Sequence, residues 1–127
     1  IGYRSFYECE ALKSINVPES VEEIGEEAFC RCRDIERVVV PDGVKRIEKG
    51  CFKGSLNLKE VTLPSSLDSI GSLAFFGCIS LSNISIPSST RTIGDEAFAS
   101  CYMLERIEMP ETILVVGKNA FKDCKSQ

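Results

Sequence analysis

The sequence contains no histidine among its 127 residues. This absence removes the commonest general base, the usual histidine-containing catalytic triads and the commonest metal ligand. The serine, aspartate and glutamate side chains that could act instead are spread along the chain, and no polar cluster suggests a catalytic site. We therefore expect a protein that is not an enzyme and that binds neither a metal ion nor a cofactor.

The chain also lacks a long apolar segment and a strong charge of either sign. No apolar run is long enough to span a bilayer, so we expect no membrane insertion. The net charge of −4 is small and evenly spread, which argues against nucleic acid as a partner. An apolar fraction of 43% with 27% charged residues is ordinary for a globular chain.

Proline and phenylalanine are few, but they recur with a strict period of 23 residues. The phenylalanines that keep this step are Phe6, Phe29, Phe52, Phe75, Phe98 and Phe121. One unit reads L-x-x-I-x-I-P-x-x-V-x-x-I-G-x-x-A-F-x-x-C-x-x. This period predicts one solenoid domain over residues 1–127, with about five and a half stacked coils. We expect it to be a piece of a longer repeat protein, and its open ends could allow self-association.

Each coil is expected to contain two short strands. The segment Leu58–Leu63 alternates apolar and polar residues, which is typical of a half-buried strand, and the proline that follows ends it. A second short extended piece follows, as in residues 44–47. If coils stack in register, each outward position forms a column, and opposite charges should face each other between strands. One such column is Lys13, Glu36, Lys59, Ser82 and Glu105.

The corner after the second extended piece carries small residues and cysteines. Ala28, Phe29 and Cys32 stand at i, i+1 and i+4, which predicts a short helical turn with all three side chains inward. Five of the seven cysteines keep the 23-residue step, so we expect a column of buried free thiols. Cys30 lies outside this column, and its equivalents vary as exposed residues do. We therefore expect Cys30 to be exposed and to be the reactive thiol.

The unit, as it stands in Leu81–Cys101, resembles the BspA-like leucine-rich repeat, and the resemblance covers essentially the whole chain. It implies a right-handed repeat solenoid with a parallel β-sheet on its concave face. It also implies a surface or secreted protein that binds other proteins, often in adhesion. A cytoplasmic location is the alternative, because unpaired cysteines suit a reducing compartment. Glu48 departs from the repeat glycine, which indicates that this corner does not need a glycine-only backbone conformation.

The resemblance places the contact surface on the concave face. The candidate contact residues are the outward ones on its strands: Arg37, Val39, Glu60, Thr62, Asn83, Ser85, Arg106 and Glu108. No aromatic residue occurs at these positions, so many weak contacts are expected rather than a few strong ones. The alternative is a structural spacer or self-assembling segment that has no ligand site of its own.

A second candidate contact is apolar. Leu114 and Val115 replace residues that are polar in most other coils, and they should face solvent. Exposed apolar patches often mark interfaces, so we expect this pair to contact a neighbouring repeat, a second copy or another protein.

Overall fold

The computed structural model describes residues 1–9 and 13–125. Within these residues the chain forms nine short strands, two in most coils. The first strand of each coil belongs to what we call the front face, which comprises β1 (Ser14–Asn16), β2 (Arg37–Val39), β4 (Glu60–Thr62), β6 (Asn83–Ser85) and β8 (Arg106–Glu108). The second strands form the back sheet, which comprises β3 (Arg46–Ile47), β5 (Ser69–Ile70), β7 (Thr92–Ile93) and β9 (Val115–Val116).

All strand pairs are parallel and join residues that are 23 positions apart. Arg37 lies beside Glu60 on the front face, and Ser69 lies beside Thr92 in the back sheet. This register confirms the predicted stacking of like residues. The back sheet runs without interruption in the order β3-β5-β7-β9, whereas the front face divides into β1-β2-β4 and β6-β8.

The centre of the core is a column of phenylalanine rings. Phe29, Phe52, Phe75 and Phe98 are all 0% exposed. Successive rings lie 5.1 to 5.4 Å apart, with interplanar angles of at most 8°. Each ring is therefore buried by the coils on both sides, which confirms the inward placement of the phenylalanines and explains why the coils stack.

The predicted helical turn at the corner is wrong, since no described residue belongs to a helix. Glu27 and Arg31 have φ of 55° and 59°, and the equivalent two positions are left-handed in each of the other coils. A left-handed residue interrupts a right-handed helix. The amide of Phe29 instead donates to the carbonyl of Cys51 in the next coil at 2.9 Å, while the amide of Cys30 closes a turn on Glu27. The corner thus adds a third line of hydrogen bonds between coils.

A glycine lies at the closest approach between coils. A Cβ on Gly94 would lie 2.4 Å from the backbone nitrogen of Ser72, and one on Gly71 would lie 2.8 Å from that of Lys49. Neither glycine has a positive φ, so the corner needs no glycine-only conformation, as Glu48 indicated. At these two positions the absence of a Cβ is what lets the two backbones touch.

Candidate functional site

The eight contact residues that were predicted for the concave face lie on the strands of the front face, and all eight are exposed. Strand pairing arranges them in two parallel rows across the face. The first row is Arg37, Glu60, Asn83 and Arg106, and the second is Val39, Thr62, Ser85 and Glu108. The structure therefore brings these residues together on one surface, and their role in binding remains a prediction.

Opposite charges do face each other between the front strands. The guanidinium Nε of Arg37 lies 3.5 Å from Oε2 of Glu60, and Lys59 Nζ lies 3.6 Å from Oε1 of Glu36. These pairs are exposed to solvent, so each contributes at most about 0.2–1 kcal/mol to stability. In the part of the chain that the structure describes, no ion pair engages Arg106, which leaves its guanidinium available to a partner.

The front face is interrupted between β4 and β6, at a place we call the front seam. The amide of Lys59 donates to Glu36 at 2.9 Å on one side, and the amide of Glu105 donates to Ser82 at 3.0 Å on the other. Between residues 59–63 and 82–86, all of which are described, no backbone hydrogen bond forms. The inward side chain of Val61 is accordingly only half-buried.

Two depressions lie along the front seam, with volumes of about 640 Å³ and 340 Å³. Glu60 and Asn83 line the larger one, and Thr62 and Ser85 line the smaller one. Ile79 and Met103, which are 37% and 51% exposed, add apolar surface to the larger depression. Half of the predicted front-face residues thus border the seam. Sequence reasoning missed the seam itself, although two neutral residues mark it. Ser82 interrupts the charged column that contains Lys59 and Glu105, and Asn83 interrupts the row of Arg37, Glu60 and Arg106.

Leu114 and Val115 face solvent as expected, with 71% and 57% of their surfaces exposed. Leu114, just before strand β9, and Val115, its first residue, form an exposed apolar pair. That this pair contacts a partner remains a prediction.

The expectation that Cys30 is exposed is wrong, because this residue is only 3% exposed. Its small side chain occupies a column in which the neighbouring coils carry the longer Tyr7 and Lys53. Burial raises the pKa of the Cys30 thiol. A thiol with a raised pKa forms little of the reactive thiolate, so the basis for a reactive Cys30 is lost. Cys9, which is partly exposed, is the most accessible of the seven free cysteines.

Four of the five cysteines in the column are buried and all five are free, as predicted apart from the partly exposed Cys9. The buried thiols also form hydrogen bonds that the sequence did not reveal. The thiol of Cys78 donates to the carbonyl of Phe52 at 3.1 Å, and that of Cys101 donates to Phe75 at 3.0 Å. Ser55, which replaces a cysteine, donates from its hydroxyl to Phe29 at 3.1 Å. This position therefore requires a small side chain that donates a hydrogen bond to a backbone carbonyl. The replacement of a cysteine by Ser55 was the feature of the sequence that could have indicated this. Burial raises the pKa of Cys101 to about 12.

The described residues contain no group of three or more histidine, cysteine, aspartate or glutamate side chains that could hold a metal ion. Among the same residues, no helix is long and apolar enough to cross a membrane.

The family model of the BspA type leucine rich repeat region matches residues 1–127 with six copies. The chain therefore belongs to the BspA-type leucine-rich repeat family. No curated protein matches it.

Solved structures of bacterial leucine-rich repeat proteins are similar to the chain. One from Bacteroides ovatus is 32% identical with a TM-score of 0.88, and the match covers 94% of this chain and 31% of that one. One from Eubacterium ventriosum is 28% identical with a TM-score of 0.91, covering 99% and 34%. A leucine rich cell surface protein from Faecalibacterium prausnitzii is 28% identical with a TM-score of 0.65, covering 81% and 34%. The chain spans about a third of the length of these proteins.

Proposed function

We propose that the chain is a non-enzymatic scaffold that binds protein through its front face. The observation that carries this proposal is the front seam, where two depressions are lined by four of the outward residues expected to make contacts. Backbone groups along the seam lack partners in the neighbouring strand. We expect a partner polypeptide to lie across the seam and to cover the exposed Ile79 and Met103 with its side chains.

The composition of the front face favours a broad and weak contact. Val39 is 58% exposed and lies beside Thr62, and the free guanidinium of Arg106 lies two strands further along. Neither an aromatic anchor nor a deep pocket is present at the predicted contact positions, so affinity has to come from many contacts along the stack.

We propose further that the protein acts at the cell surface or in secreted form, with adhesion as its role. Support for this comes from the similar protein of Faecalibacterium prausnitzii, which is described as a cell surface protein.

Selection of binding peptides from a random phage-displayed library on the immobilised chain would test the front face. Peptides that bind saturably would then be titrated against Thr62→Lys, which places a long charged side chain beside the smaller depression. The matched control is Thr92→Lys, the same change on the back sheet. We expect Thr62→Lys and the double variant Arg37→Ala/Arg106→Ala to weaken binding, and Thr92→Lys to leave it unchanged. Failure to select any saturable peptide, or equal effects of the two lysine variants, would overturn the proposal.

The second candidate is a spacer or self-assembling segment, which the exposed Leu114 and Val115 favour. Sedimentation measured over a range of concentrations tests this candidate. A self-assembling segment would associate as its concentration rises, and Leu114→Asp/Val115→Asp would abolish the association. A chain that stays monomeric at all concentrations would refute it.

A further inference from the structure

The back sheet begins at β3, because residues 22–24 of the preceding coil do not pair with that strand, and the line of hydrogen bonds between coils is interrupted there. At later joints, the amide of Asp68 donates to Lys45 and that of Gly71 donates to Ile47, both at 2.7 Å. The equivalent amides one coil earlier belong to Lys45 and Glu48. Neither donates to residues 22–24, all of which are described, and these residues form no strand beside β3.

The interruption coincides with the departure from the repeat glycine. Glycine occupies this position in the other coils, and four of these glycines donate their amides to the coil before them: Gly25, Gly71, Gly94 and Gly117. A Cβ on any of these glycines would lie 2.4 to 2.8 Å from backbone atoms of that coil, which is closer than atoms can pack. Glu48 has a Cβ, so the backbone of the preceding coil must lie further from residue 48 than it could from a glycine.

The front face and the corner, which are the other two walls of the solenoid, remain hydrogen-bonded between these two coils. On the front face, Ser14 to Asn16 pair with the strand Arg37–Val39. At the corner, the amide of Glu27 donates to Lys49 at 3.0 Å. Only the back wall opens, as a cleft of about 560 Å³ bordered by charged side chains that include Lys45, Arg46 and Glu48.

We propose that the Cβ of Glu48 holds the back sheet open between these two coils, which makes this joint the hinge of the solenoid. Two closed walls and one open wall allow the coils to rotate about the closed side. Such a rotation changes the curvature of the front face without breaking its strands. This inference does not depend on what the front face binds.

Amide hydrogen exchange followed by NMR on the whole chain tests the hinge. In the wild-type chain the amides of Lys45 and Glu48 should exchange about tenfold or more faster than those of Asp68 and Gly71, since one backbone hydrogen bond shifts the opening equilibrium by about that factor. Glu48→Gly should slow exchange at positions 45 and 48 about tenfold. Glu48→Ala should leave both fast, because it removes the carboxylate but keeps the Cβ.

The reverse substitution, Gly71→Glu, should open the next joint and accelerate exchange at positions 68 and 71. Equal slowing by Glu48→Gly and Glu48→Ala would show that charge, not the Cβ, holds the joint open, and would overturn the proposal. So would a wild-type chain in which all four amides are equally protected. The two Glu48 variants keep the test decisive if Gly71→Glu does not fold.

Discussion

Replacing Phe75 by alanine removes a ring that is shared by two interfaces of the stack. The ring is 0% exposed and lies 5.3 Å from the ring of Phe52 and 5.1 Å from that of Phe98. Loss of a fully buried phenylalanine typically costs about 3–5 kcal/mol of the free energy of unfolding. The two stacked pairs account for about 1–3 kcal/mol of this. A chain of this size has about 6–19 kcal/mol in total, so the change is large.

Phe121→Ala is the matched control. This ring is half-buried and stacks on Phe98 alone among the described residues, at 5.3 Å. We expect it to cost about half as much, roughly 1.5–2.5 kcal/mol. Urea denaturation followed by circular dichroism, with both variants under the same conditions, gives the two differences. If Phe75→Ala costs no more than Phe121→Ala, the continuous ring column does not stabilise the stack as described.

Three further predictions follow from the burial of thiols and glycines. Brief treatment of the native protein with iodoacetamide should modify Cys9 before Cys30, as read by peptide mass spectrometry, and the reverse order would contradict the burial of Cys30. Burial raises the pKa of Cys32 to about 11 and that of Cys101 to about 12 in the folded state. A thiol whose pKa is raised by folding ionises first in the unfolded chain, which favours unfolding at high pH. The free energy of unfolding should therefore be constant below the unfolded thiol pKa of about 8.5. Above that pH it should fall by about 1.4 kcal/mol per pH unit for each such thiol. Urea midpoints from pH 8 to pH 11 measure this, and flat midpoints would refute it. Gly94→Ala should cost at least about 1–3 kcal/mol in urea denaturation, because its Cβ would overlap the preceding coil; an unchanged midpoint would show that this approach is not tight.

The sequence predicts the stacking register and the inward residues well, because packing alone determines them. A phenylalanine every 23 residues can be buried only if equivalent positions lie over one another. The strand in Leu58–Leu63 follows from its alternation, and the structure places β4 within that segment. The outward rows of the front face follow directly from the same register.

The corner was harder to predict because its residues fit a helix pattern by spacing. Ala28 and Phe29 do point inward, but two left-handed residues in each corner, four positions apart, prevent a helix. Gly50 and Gly54 occupy these left-handed positions in one coil and were the available signal. The burial of Cys30 depends on long side chains in neighbouring coils, and the effect of Glu48 depends on a distance between backbones. Neither is visible along a single repeat.

The stacking of like residues is tested most directly by nuclear Overhauser effects between selectively labelled phenylalanine rings. The ring positions predict effects between Phe52 and Phe75 and between Phe75 and Phe98, whose centroids lie 5.3 and 5.1 Å apart. No effect is predicted between Phe52 and Phe98, which lie two coils apart. A spectrum without the two neighbouring contacts, or with a direct contact between Phe52 and Phe98, would contradict the in-register solenoid.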